Sequence, residues 1–188
     1  MQQSIKVSLH STCPLLLHNG QTADPLNHFS KLLKTISSKR KKTDADFEEL
    51  ARIEWYASLY LSNGMPCLPS RVIEATLTNA AKKVKKGVQA KAGLYCLDDF
   101  PLIYDGPTDL EELRLDERFR FTTGVVINRV RVQRCRPKFD YWTADVEVLY
   151  SDEQLNESDV LEFFHIGGRD VGLCDWRPKY GRFEVTNT

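Results

Sequence analysis

The stretch "GVVINRVRVQRCRPKFDYWTADVEVLY", residues 124–150, holds two alternating runs on either side of a basic and aromatic middle. Alternation of apolar and polar residues is the mark of a strand with one buried face. "GVVINRVRVQR" and "TADVEVLY" both carry it, and an antiparallel hairpin centred near Lys138 pairs them. In that register Val130 faces Val146, Val132 faces Ala144, Arg131 faces Asp145 and Arg129 faces Glu147. One face is then apolar and the other a ladder of opposite charges, each pair contributing roughly 0.2–1 kcal/mol. The reading expects a β-hairpin over residues 123–150 with a basic-aromatic tip.

Outward from this hairpin the pattern changes period. "SIKVSLH" (4–10) alternates and reads as a first strand. Thr43, with Asp46 three residues on, caps a helix striped by Leu50, Ile53, Ala57, Tyr60 and Leu61, which Asn63-Gly64 ends. Ser70 caps a second helix, with Ile73, Leu77, Ala80, Ala81 and Val84 on one face. Short strands are expected around "AGLYCL" and "PLIY", then an acidic surface loop with a short helix. Asn156 and Asp159 cap a third helix bearing Val160, Leu161, Phe163 and Phe164; "RFEV" closes the chain as a strand. This order predicts an α+β fold: a ferredoxin-like or RNA-recognition-type split βαβ antiparallel sheet with helices on one face. The first and last strands are expected side by side at its centre.

The apolar fraction of 41% in 188 residues suits a chain with a real core. Net charge is zero, yet 16 of the 26 basic residues lie in segments 31–42, 82–91 and 129–138. Segment 98–117 instead holds eight acids and one arginine, so a neutral total conceals surfaces of opposite sign. No run resembles a signal peptide, and none approaches the ~18 apolar residues of a membrane helix. Five widely spaced cysteines without a C-x-x-C pair read as reduced thiols. The expectation is a cytoplasmic protein with no membrane partner.

Cations follow a phosphate backbone, and aromatic rings offer platforms on which unpaired bases stack. Arg134, Arg136 and Lys138 beside Phe139, Tyr141 and Trp142 are therefore candidate nucleic-acid contacts; the alternative is that these rings belong to the core. Lys39, Arg40, Lys41 and Lys42, and Lys82, Lys83, Lys85 and Lys86, are further candidates, the alternative being solvated surface. His10, His18, His28 and His165 lack metal-pair spacing, and no serine sits in a nucleophile elbow. No metal, cofactor or catalytic residue is assigned. His18 and His28 are the acid–base candidates of an alternative, metal-independent endoribonuclease reading, with Asp24 a turn former before Pro25.

The glycine-rich "IGGRDVGLCDWRPKYGRF", residues 166–183, runs from a helix to a strand, the reverse of dinucleotide and P-loop motifs. Gly167, Gly168, Gly172 and Gly181 either relieve backbone crowding or bare amides to phosphate, with Arg169, Arg177 and Arg182 nearby. This loop, together with "IKVSLHSTCPLLLHNG" and "GMPCLPSRVIEATLTNAAKK", resembles the RAMP superfamily. These are the repeat-associated proteins that form RNA-binding backbone and processing subunits of CRISPR effector complexes. The three stretches are similar to the family's first strand, the start of its first helix and its C-terminal glycine-rich loop. Cys174 stands where the family has glycine, and Arg71 replaces a glycine-serine element.

The resemblance implies a single domain over 1–188, with 26–62 an inserted basic segment and helix, in a divergent or phage- or mobile-element-encoded relative. It implies a protein that lies along single-stranded RNA and stacks on copies of itself; the leading expectation is a non-catalytic binder of single-stranded RNA, or DNA, acting as a homo-oligomer or ribonucleoprotein subunit. A third reading keeps the fold but works through protein contacts, as a CRISPR inhibitor or assembly subunit.

Overall fold

Ile5, Val7 and Leu9 alternate with Lys6 and Ser8, so one face of the opening strand is driven into a core while the other stays wet. The computed structural model describes residues 1–127 and 129–187, and the side chains of all of these except residues 127, 130, 131 and 187. Its elements in chain order are β1 (Gln2–Ser11), β2 (Leu15–Leu16), α1 (His28–Ser37), α2 (Asp44–Ser58), β3 (Leu61–Ser62) and β4 (Met65–Leu68). There follow α3 (Ser70–Lys83), α4 (Gly87–Gly93), β5 (Leu94–Tyr95), β6 (Phe100–Pro101) and α5 (Leu110–Leu115). The last are β7 (Arg120–Ile127), β8 (Val130–Phe139), β9 (Thr143–Ser151), α6 (Glu157–Ile166) and β10 (Phe183–Asn187). The fold is α+β with mostly antiparallel sheets. Among the described residues no helix is long and apolar enough to cross a membrane.

Two compact units divide the chain: Met1–Leu15, Leu61–Asp105 and Phe139–Thr188 form one, Leu16–Tyr60 and Gly106–Lys138 the other. The first is built on a four-stranded sheet in the order β10-β1-β9-β5. Val7 lies opposite Val146 and Leu9 opposite Ala144, so the buried faces of β1 and β9 coincide. Ile73, Leu77, Ala80 and Ala81 of α3 and Val160, Phe163 and Phe164 of α6 are buried, and the two helices pack together. A second sheet, β3-β4-β6, opens with a hairpin whose turn is Asn63-Gly64, at φ of 52° and 78°. Paired left-handed residues match the twist of a tight hairpin. That dipeptide therefore turns a hairpin, and α2 stops earlier, at Ser58.

In the second unit Trp55 is fully buried and its indole N–H donates to the Phe119 carbonyl at 2.9 Å. The Glu54 carboxylate, also buried, accepts from the Cys135 amide at 3.0 Å and pairs with Arg134. β8 lies between β2 and β7. The Thr43 capping box forms as the sequence predicts, and so does the Asn156 box of α6 in the first unit.

The expected pairing of residues 129–132 with 144–147 does not occur. β8 pairs instead with β7, from Arg120↔Pro137 to Ile127↔Val130, and Arg129 sits in the intervening turn at φ 66°. β9 pairs with β1, which places Asp145 opposite Ser8 and Glu147 opposite Lys6. Both candidate strands alternate, so periodicity alone allows either partner. The connections from β7 to β8 and from β8 to β9 are both short, so loop closure does not decide between them; the pairing follows the tertiary partners, β7 for β8 and β1 for β9. Two further expectations are corrected. β10 pairs with β1 but is an edge strand, and Ser70 is the first helical residue rather than the cap. Its amide donates to Asp99 Oδ1 at 2.8 Å.

Candidate nucleic-acid interface

The expected hairpin tip is dismantled by its own apolar content. Phe139 and Trp142 are 0% and 1% exposed, and each ring packs edge-on against another, Tyr104 and Phe183. The Trp142 amide donates to Ser11 Oγ at 3.0 Å and its indole to the Cys13 carbonyl at 3.3 Å. Neither ring is available to stack on a base, whereas Tyr141 is 84% exposed. Arg134 is held by buried Glu54, and Arg136 donates to Ser58 Oγ at 3.3 Å. Lys138 lies at the end of the second unit. These arginines act first as ties between β8 and α2.

Lys39, Arg40, Lys41 and Lys42 occupy the link between α1 and α2 in the second unit. Lys39 is bound to Asp46 at 2.6 Å, and Lys42 donates to the Lys39 carbonyl at 3.1 Å. Arg40 and Lys41 are exposed. In the first unit Lys82 and Lys83 close α3, Lys85 follows at φ 61°, and Lys86 pairs with Asp159 at 2.5 Å. The Lys86 ammonium holds the Asp159 carboxyl below its ordinary range.

The glycine-rich loop runs back along α3. Gly167 lies against Thr76 and Ala80, the Thr76 hydroxyl donates to the Gly172 carbonyl at 3.1 Å, and Cys174 sits in the field of Arg71 and Arg177. Burial pushes the Cys174 thiol up to about 12, so it is inert as a nucleophile near neutral pH. Arg169 grips Asp170 through two bonds of 3.0 and 3.1 Å. Arg169, with Lys83 and Arg182, draws the Asp170 carboxyl down. Cations thus border the loop from the end of α3 to its start.

The glycines serve the chain's own packing. A Cβ on Gly168 would lie 2.0 Å from the Phe183 carbonyl oxygen. Gly181 has φ +72° and a Cβ there would lie 2.1 Å from the Leu173 carbonyl. Between Gly172 and Gly181 the loop meets solvent: Trp176 (40% exposed), Arg177 and Lys179 are exposed, as is Arg182 after Gly181. Trp176 packs tilted on Tyr180, the Lys179 ammonium lies 5.7 Å from the Tyr180 ring, and the Arg182 guanidinium donates to the Pro178 carbonyl at 2.7 Å. Trp176, Lys179 and Tyr180 were outside the sequence-derived candidates. The signal for them was the same interleaving of cations and rings in "DWRPKYGR" that singled out the buried tip.

On the sheet, the face opposite Val7 and Val146 carries Lys6, Ser8 and His10 on β1, Asp145 and Glu147 on β9, and Glu184 on β10. Carboxylates predominate there, which repels phosphate. Of the acid–base candidates, His28 is exposed at the start of α1, and the His18 carbonyl accepts from Tyr60 Oη at 2.8 Å. Asp24 Oδ1 accepts from the Leu26 amide at 2.8 Å, a local turn bond. No protein-family model matches the chain, and no curated protein sequence matches it.

Proposed function

We propose that this protein is a RAMP-like, non-catalytic binder of single-stranded nucleic acid, RNA preferred, with a ferredoxin-like core. The strand order β10-β1-β9-β5 supports the fold reading, since the chain passes through α3 between β1 and β5 and through α6 between β9 and β10. The observation that carries the functional reading is the exposed cluster Trp176, Arg177, Lys179 and Arg182 on the glycine-rich loop, continued by Arg169 and Lys83. Cations of this kind neutralise successive phosphates, and Trp176 offers a face to a base. The acidic sheet face directs the strand to the loop side.

The test is fluorescence anisotropy on matched RNA and DNA oligonucleotides at two salt concentrations, with complex stoichiometry reporting assembly along the strand. Each phosphate contact on a single strand contributes about −0.7 to the slope of log K against log salt. Removing two cations with Arg177→Ala and Lys179→Ala should flatten that slope by about 1.4. Trp176→Ala should weaken binding by about 1–3 kcal/mol at constant slope. An unchanged slope in the double variant would remove this loop as the phosphate track.

A further inference from the structure

We propose that the outer face of the four-stranded sheet carries a binding cleft for an alkylammonium ligand, a linear polyamine or a lysine side chain of the same chemistry. A cavity of about 420 Å³ opens there, within the size range of small-molecule sites. Its polar wall follows from register. Asp145 and Glu147 are two residues apart on β9, so both project to the same side, roughly 7 Å apart along the strand. Asp98, in the segment after β5, adds a third carboxylate to the lining.

Lys6 lies 3.5 Å from Glu147 and offsets one charge, which leaves the cleft with a net charge of −2, three carboxylates against one ammonium. Asp145 accepts from Ser8 Oγ at 2.5 Å, which fixes the carboxylate and leaves lone pairs for a second donor. The remaining wall is apolar. Phe100 and Leu149 line it, and Leu97, 74% exposed, stands at the same cavity.

The two walls together select the ligand. An anion meets net negative charge, and a neutral apolar molecule offers that charge no counter-ion. A small metal ion gains nothing from Leu97, Phe100 and Leu149. An alkylammonium uses both walls, its methylenes on the apolar side chains and its charge on the acids. The carboxylate spacing along β9 is close to that between neighbouring nitrogens of a linear polyamine.

The experiment is isothermal titration of the full chain with spermidine, with a neutral diol of similar length, with N-acetyl-lysine amide and with magnesium ion. Saturable spermidine binding that the diol does not reproduce is expected. Asp98→Asn with Asp145→Asn should weaken it about tenfold or more per carboxylate. Leu97→Ala, on a solvent-facing side chain, should weaken it without touching charge. Tighter binding of spermidine identifies a free polyamine as the ligand, and tighter binding of the lysine amide identifies a partner's lysine. No saturable amine binding, amine binding equalled by magnesium, or affinity unchanged in the aspartate double variant would overturn the proposal. Circular dichroism of each variant separates loss of binding from loss of fold.

Discussion

Gly168 has a carbonyl oxygen, that of Phe183, where any other residue would place its Cβ. The neighbour is backbone of β10, which is itself tied to β1, so it has little freedom to retreat. Overpacking of this kind typically costs about 1–3 kcal/mol. Gly168→Ala should therefore lower the urea midpoint by at least that equivalent. Gly20→Ala, with open space around the added carbon, should stay within about 0.5 kcal/mol of the parent. Equal midpoints for the two variants would refute the close-approach account. The sequence displays these glycines openly but not their reason, because the neighbour that demands each one is remote in the chain. The same blindness affected the aromatic candidates. "KFDYW" and "DWRPKY" look alike on paper, yet Phe139 and Trp142 fill the core while Trp176 reaches solvent. What separates them is which segment continues a buried strand face, a tertiary fact.

Two helix starts were legible because their chemistry is local, whereas the start of α3 and the end of α2 were misplaced. Thr43 and Asp46 exchange bonds of 3.3 and 3.0 Å across four residues, and Asn156 with Asp159 repeats the device. Strand partners were less so, since β8 and β9 have interchangeable alternation, and the choice fell to β7 and β1, which compete for them. The capping carboxylates make a pH prediction. Lys39 and the Thr43 amide together lower the Asp46 pKa from 3.8 to about 2. A carboxyl whose folded pKa is depressed contributes stability above its unfolded pKa and loses it as pH falls through the folded value. Thermal stability should therefore fall between about pH 4 and pH 2. Asp46→Asn should be less stable than the parent at neutral pH and show a shallower acid decline over that window. Differential scanning calorimetry at pH 2, 3, 4 and 7 measures both, and parallel declines for parent and variant would exclude Asp46 as a contributor.

At the scale of the whole molecule, net charge is zero and the isoelectric point near 6.9, so no global field opposes self-association near neutrality. Charge is nonetheless segregated. The outer sheet face carries Asp145, Glu147 and Glu184, while the loop beside α3 carries Arg169, Arg177, Lys179 and Arg182. Unlike patches on different copies attract, and nothing in the net charge cancels that attraction at pH 7. The attraction should be screened by salt, because the Debye length falls from about 30 Å at 0.01 M to about 10 Å at 0.1 M. It should also weaken away from neutrality, where net charge of either sign adds repulsion between copies. Static light scattering at pH 5, 7 and 9 is expected to give its lowest second virial coefficient at pH 7 and low salt, rising with added salt. Reversing the loop's charge with Arg177→Glu and Lys179→Glu should raise the low-salt value at pH 7, since the variant gains net negative charge and loses its attractive patch. A coefficient at pH 7 that is positive and indifferent to salt would show that the two surfaces do not meet between molecules.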